Sequence, residues 1–139
     1  MIDKFSGEFG FLSNFYSAPI VVEEIEFPTA EHAYQAFKTY ELWEWTAIKN
    51  AKTPGEAKKL GRKVTLRKDW EEIKLEVMEQ LLRIKFAILE MKKRLLDTGD
   101  EELVEGNFWN DCFWGVCNGK GENNLGKLLM KIREDLRKE

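Results

Sequence analysis

The strongest regularity in the chain lies between Trp70 and Leu95. Trp70, Ile73, Val77, Leu81, Ile84, Ile88, Met91 and Leu95 recur at steps of three and four. That spacing predicts one face of a long amphipathic helix. Asp69 followed by Glu72 marks its start, a break is expected near Glu90, and Gly99 marks the C-terminal end. A stripe of that length has to bury itself against other helices, so the chain reads as mainly α.

The remaining elements fit around it. Leu125, Leu128, Leu129, Ile132 and Leu136 predict a last helix with one buried face. Thr53 to Glu56, TPGE, is a capping box with proline at the first helical position, and that short helix stops at Gly61. Pro28 and Thr29 start another helix, expected to run from Ala30 to about Asn50 with Thr29 as N-cap. Ile20–Phe27 is β-branched and partly alternating, which predicts a short strand or hairpin. Glu101 to Gly121 reads as loop, with short strands expected at Glu102–Glu105 and Phe113–Cys117. No internal repeat or low-complexity linker interrupts the 139 residues, so residues 1–139 are expected to form one domain. The predicted fold is a compact, mainly α single domain with a small β-hairpin near the N-terminus.

Composition narrows the function. Net charge is −3, from 22 basic and 25 acidic side chains. Proteins that grip duplex DNA along its backbone are usually basic, so broad nucleic-acid binding is disfavoured, while a small phosphate pocket is not. With 2 cysteines and 1 histidine, His32, no Cys/His zinc set can be assembled, and no EF-hand loop is present. Cys112 and Cys117 read as small apolar fillers, and His32 as a packed or capping residue. No metal or cofactor is expected. The N-terminus, MIDKFSGEFG, has no apolar signal core and no stretch is long enough to span a membrane. The expected location is the cytoplasm, with no membrane partner, and the oligomeric state is not legible.

Polar residues in apolar settings are the candidates for chemistry. In FGFLSNFYSAPI, Asn14 sits among Phe9, Phe11, Phe15 and Tyr16. A buried amide needs partners, either from its own loop or from a ligand. In EHAYQAFK, Glu31, Gln35 and Lys38 share one helical stripe beside an apolar stripe of Ala30, Ala33, Tyr34 and Phe37. The stripe is either a solvated face with a dipole-stabilised Glu31 or a functional one. Lys85 falls in the gap of the flank Met78, Leu82, Leu89, where it either snorkels to water or holds an anion beside the core. Arg62 and Arg67, in GRKVTLR, are either surface arginines or a phosphate clamp. In WNDCFWGVCNGKGENNLG, Asp111 lies among Trp109, Phe113 and Trp114, where it either serves a turn or works as an acid with a raised pKa.

In order along the chain stand FLSNFY, EHAYQAFK, GR-x-V-x-x-R-x-DW, VM with KF, TGD-x-x-LVE, D-x-x-WG and G-x-N-x-L-G-x-x-LM-x-x-R. This succession resembles the YbiA-like family, also called NADAR, over nearly the whole chain. The resemblance implies a mainly helical fold and an N-glycosidase, which cleaves the bond between a ribose C1 and a nitrogen. Two substrate classes are implied: the ribosylaminopyrimidine phosphates of early riboflavin synthesis, and ADP-ribose attached to guanine in nucleic acid. The implied partner is thus a small ribosyl phosphate or an ADP-ribosylated guanine, with local contact to modified nucleic acid in the second case.

Carried over by motif, Glu31, Asp111 and Trp70 are the catalytic positions. Asn14, Phe15, Gln35, Lys38, Arg62, Arg67, Lys85, Trp114, Asn123 and Arg133 are the substrate-binding ones. Hydrolysis at C1 passes through an oxocarbenium-like state that calls for carboxylates. Glu31 and Asp111 are expected to share that work, Trp70 and an aromatic of FLSNFY to stack on the base, and Arg62, Lys85 and Arg133 to hold phosphate. The alternative is a module that binds ADP-ribose or a nucleotide without cutting it.

Overall fold

Side-chain oxygens of Thr29 and Thr53 cap two of the helices. The computed structural model describes residues 1–139 and divides them into two units, Asn14–Lys85 and Met1–Ser13 with Phe86–Glu139. Six α-helices, one short 3-10 helix and two two-stranded sheets account for the regular structure. No helix is long and apolar enough to cross a membrane.

In the first unit, β1 (Ile20–Val22) pairs antiparallel with β2 (Ile25–Phe27), Val22 opposite Ile25. The expected hairpin is present. Its turn is Glu23-Glu24, both left-handed at φ 49° and 70°, the backbone that suits a two-residue hairpin loop. α1 (Ala30–Ala36) follows, capped by the Thr29 side chain, which accepts the His32 N–H. The His32 ring lies 2.8 Å from Thr29 Oγ1 and 3.0 Å from the Ala51 carbonyl, so it is a packed residue. α3 (Pro54–Gly61) begins as its capping box predicts: Thr53 Oγ1 accepts the Glu56 N–H, and Glu56 accepts the Lys52 N–H.

One expected helix is two. α1 ends at Ala36 and α2 spans Leu42–Lys49, with an irregular stretch between. The carbonyls that would continue α1 are claimed elsewhere: Arg67 donates its N–H to Lys38 O at 2.8 Å and a guanidinium N–H to Phe37 O. The Thr39 hydroxyl donates to Glu44 and accepts from the Glu41 N–H. Such side-chain bonds compete with the helical ladder.

α4 (Trp70–Ala87) and α5 (Leu89–Leu96) form the long amphipathic run. They part at Ile88, which is extended at φ −65°, ψ 125°, two residues before the expected break. Trp70, Met78, Leu81, Leu82, Lys85 and Phe86 are buried, whereas Leu89 is 81% exposed. The buried stripe therefore passes through Lys85 rather than beside it.

In the second unit, Ile2 bridges Leu103, and β3 (Gly106–Asn107) pairs parallel with β4 (Val116–Cys117). These are shorter than the strands expected at Glu102–Glu105 and Phe113–Cys117. α6 (Asn124–Arg137) buries Leu125, Leu129 and Ile132, together with Arg133. Its expected Leu128 and Leu136 are half-buried. Cys112 and Cys117 are free thiols, the second buried.

Candidate active site

A cleft of about 320 Å³ opens in the unit Asn14–Lys85. α1 contributes Tyr34, the stretch just after it contributes Lys38, α4 contributes Trp70, Glu71 and Lys74, and the connection after α3 contributes Arg62, Val64 and Leu66, with Gly61 at the helix end. The Trp70 and Tyr34 rings meet at 5.1 Å, tilted by 58°. Trp70 is 5% exposed and lines the floor of the cleft.

Three cations, Lys38, Arg62 and Lys74, line the same space. Burial pushes the Lys38 ammonium below the ordinary lysine range; Glu31 opposes that shift, and Arg62, Lys58 and Lys74 add to it. Lys74 pairs with Glu71, another cleft residue, at 2.6 Å, and a phosphate matches the remaining cations, Lys38 and Arg62. Lys38 also lies over the Tyr34 ring at 5.7 Å.

Glu31 and Gln35 are buried, which overturns the solvated-face reading of their stripe. Gln35 donates its Nε2–H to Glu31 Oε2 at 2.6 Å, and the Glu31 N–H donates to Asn14 O at 3.1 Å. The amide of Asn14 donates to Met78 Sδ at 3.4 Å, while its Oδ1 is buried with no hydrogen-bond partner. The aromatic cluster around Asn14 therefore holds an acceptor that its own loop does not satisfy. Phe15 is 43% exposed, with the Lys58 ammonium 5.9 Å from its ring.

Lys85 has no exposed surface and sits 5.7 Å from the Tyr16 ring centroid. The snorkelling reading is excluded. A buried ammonium is costly to desolvate, so such groups concentrate at functional sites. Arg67 is engaged by neighbours within the fold. It is bonded to both oxygens of Asp69, at 2.7 and 3.1 Å, and stacks on Tyr40 at 4.3 Å. That pairing is the main cause of a raised Arg67 pKa and a lowered Asp69 pKa.

The other expected residues lie in the unit Met1–Ser13 with Phe86–Glu139. Asp111 Oδ1 accepts the N–H groups of Phe113 and Trp114 at 3.1 and 2.9 Å, which closes a turn. Trp114 packs edge-on against Phe113 at 4.8 Å. Asn123, left-handed at φ 55°, accepts the Glu105 N–H and donates to Leu103 O, so its side chain latches the backbone. Arg133 is buried, donates to Thr98 Oγ1 at 2.8 Å and leaves Nε without a partner. Burial holds its pKa below the usual arginine value. No group of three or more His, Cys, Asp or Glu is arranged to hold a metal ion.

Tyr34 and Lys74 are cleft residues that motif and periodicity did not single out. A usable signal existed: Tyr34–Lys38 and Trp70–Lys74 are both aromatic–lysine pairs at i, i+4, which places each pair on one helical face.

A family model described as "NADAR domain" matches residues 3–137. The chain is 42% identical over 135 residues to the N-glycosidase YbiA of Shigella flexneri serotype 5b, covering 94% of this chain and 84% of that one. It is 39% identical over 131 residues to a riboflavin biosynthesis protein of Vibrio vulnificus, covering 91% of this chain and 35% of that longer one. The solution NMR structure of Escherichia coli YbiA superposes with a TM-score of 0.86 at 39% identity, covering 99% of this chain and 87% of that chain. The chain belongs to the NADAR family.

Proposed function

We propose that this chain is an N-glycosidase, a hydrolase of N-glycosyl bonds, that acts on a phosphorylated ribosyl compound. The observation that carries the reading is the cleft in which Lys38, Arg62 and Lys74 converge over an aromatic floor of Tyr34 and Trp70. Relatives named as N-glycosidases support the bond type. The match over residues 3–137 supports treating the chain as one NADAR domain.

In this reading the cations bind phosphate, and Val64 and Leu66 offer an apolar wall to a planar leaving group. Water adds across the C1–N bond: its oxygen bonds to C1 and a proton goes to the departing nitrogen. The positive charge that grows at C1 needs a nearby carboxylate. Glu31 supplies it, buried on the helix that also carries Tyr34 and acting electrostatically on Lys38 of the cleft. Asn14 Oδ1 accepts a hydrogen bond from the sugar or base, and Lys85 adds positive charge for the anionic substrate. Asp111 is proposed as a second acid on the strength of its D-x-x-WG motif alone.

The favoured substrates are ribosylaminopyrimidine 5′-phosphates, because relatives of this chain are named riboflavin biosynthesis proteins. ADP-ribose on guanine, the other substrate class that the family resemblance implies, is the second reading. A non-catalytic binding module would hold either ligand intact.

The test is parallel incubation of the parent and Glu31→Gln with both substrate classes, with mass detection of the released base. The reading predicts release by the parent and a loss of at least about a hundredfold in Glu31→Gln. Ligand that binds saturably and stays whole would establish the module instead.

A further inference from the structure

We propose that Gln35 is a positioning residue for the Glu31 carboxylate, and that Gly61 is what fixes Gln35. The proposal rests on the catalytic reading of Glu31 and extends it to two residues that need not touch substrate. Gln35 is 3% exposed. Its Nε2–H reaches Glu31 Oε2 at 2.6 Å, a short bond of the charge-assisted kind. Its Oε1 is buried and accepts no hydrogen bond.

That orphaned oxygen is explained by what faces it. A Cβ built on Gly61 would collide with Gln35 Oε1, would stand 2.7 Å from Cδ and 3.1 Å from Cβ, and its three nearest atoms all belong to Gln35. The end of α3 thus presses its bare Cα against the Gln35 amide. A flipped amide is excluded on chemical grounds. It would aim Oε1 at a carboxylate oxygen and leave two N–H donors facing a Cα. The amide therefore has one orientation, and that orientation holds Glu31.

Gly61 is also at the cleft, yet its missing side chain would point at Gln35. Its absence of a Cβ serves the carboxylate. Reaction geometry is sensitive to displacements of this size: misplacement of a reacting group by about 1 Å can cost about a hundredfold in rate.

The experiment compares kcat, KM and thermal stability for Gln35→Leu, Gly61→Ala, Gln35→Ala and the Gln35→Ala/Gly61→Ala double variant, with Glu31→Gln alongside. Gln35→Leu keeps the buried volume and removes the donor. It should lower kcat by about tenfold to a hundredfold with KM within about twofold of the parent. Gly61→Ala should lower kcat similarly in the parent background. In the Gln35→Ala background it should change kcat by less than about twofold, because the amide atoms it strikes hardest are gone and only the Gln35 Cβ, 3.1 Å away, stays. Parental kcat in Gln35→Leu, or an equal effect of Gly61→Ala in both backgrounds, overturns the proposal. An inactive Glu31→Gln beside an unaffected Gln35→Leu would remove the positioning role alone. An active Glu31→Gln would remove the catalytic reading and this proposal with it.

Discussion

Glu44 clasps Thr65 across 21 residues, accepting the Thr65 N–H on both carboxylate oxygens at 3.0 Å and the hydroxyl on Oε2 at 3.3 Å. The Thr39 hydroxyl adds a bond at 2.7 Å. Thr65 stands between Val64 and Leu66, two walls of the cleft, so the clasp fixes the wall as well as the fold.

This arrangement makes stability depend on acid. Burial alone would raise the Glu44 carboxyl, but its bonds to Thr39 and Thr65 outweigh that and hold it below the usual carboxylate range. A carboxyl depressed in the folded state contributes stability that is complete above its ordinary pKa. That contribution is lost as pH falls through the lower folded value. Glu44→Gln should flatten the acidic side of the stability–pH curve followed by thermal denaturation, and should raise KM. An unchanged acid limb would refute the clasp's role.

Thr29→Ala should destabilise the chain by about 1–2 kcal/mol in denaturant titration, since it removes the N-cap of α1. Because α1 carries Glu31 and Tyr34 and leads into Lys38, kcat/KM should fall too. The hydroxyl of Thr29→Ser should restore both.

Arg62→Ala should raise KM for a phosphorylated substrate by about tenfold, the scale of one charge-assisted bond, and leave the dephosphorylated analogue nearly unaffected. Arg62 is exposed, so the difference should shrink as salt rises. Equal losses on both substrates would remove Arg62 from phosphate recognition.

Phosphate binding should also weaken at alkaline pH sooner than an ordinary lysine would allow. Lys38 is cationic below its pKa and neutral above it, and burial lowers that pKa. Calorimetric titration with inorganic phosphate across the alkaline range checks this. Lys38→Arg, which stays charged, should abolish the alkaline loss.

Asp111→Asn keeps an acceptor at Oδ1 for the turn and removes the charge. If Asp111 is the second acid, turnover should fall by about tenfold or more while the melting temperature stays near the parent's. Unchanged turnover would leave Asp111 a turn residue only.

Local rules were legible where the decisive partner lies within a turn of chain. Thr29 and Thr53 cap as their spacing predicts, the hairpin forms at Ile20–Phe27, and α3 stops at Gly61. The split between α1 and α2 was hidden because Arg67, 30 residues from Phe37, takes the carbonyl. Glu31 and Gln35 looked like a solvated stripe because helical periodicity says which residues share a face and nothing of what covers it. Lys85 filled a gap in an apolar flank, and only packing decided that it stays inside. Asp111 and Asn123 stood out as polar residues among aromatics and glycines. Their bonds go to nearby backbone, a use that composition cannot separate from ligand binding.

The Glu23-Glu24 hairpin tip has an engineering consequence. Two acidic side chains crowd together in a backbone that L-residues adopt at a cost of about 1–2 kcal/mol each. Asn-Gly, which takes that geometry readily, should yield a sturdier protein. Neither position lines the cleft, so this corner is a convenient place to attach a dye or an affinity handle while turnover is being measured.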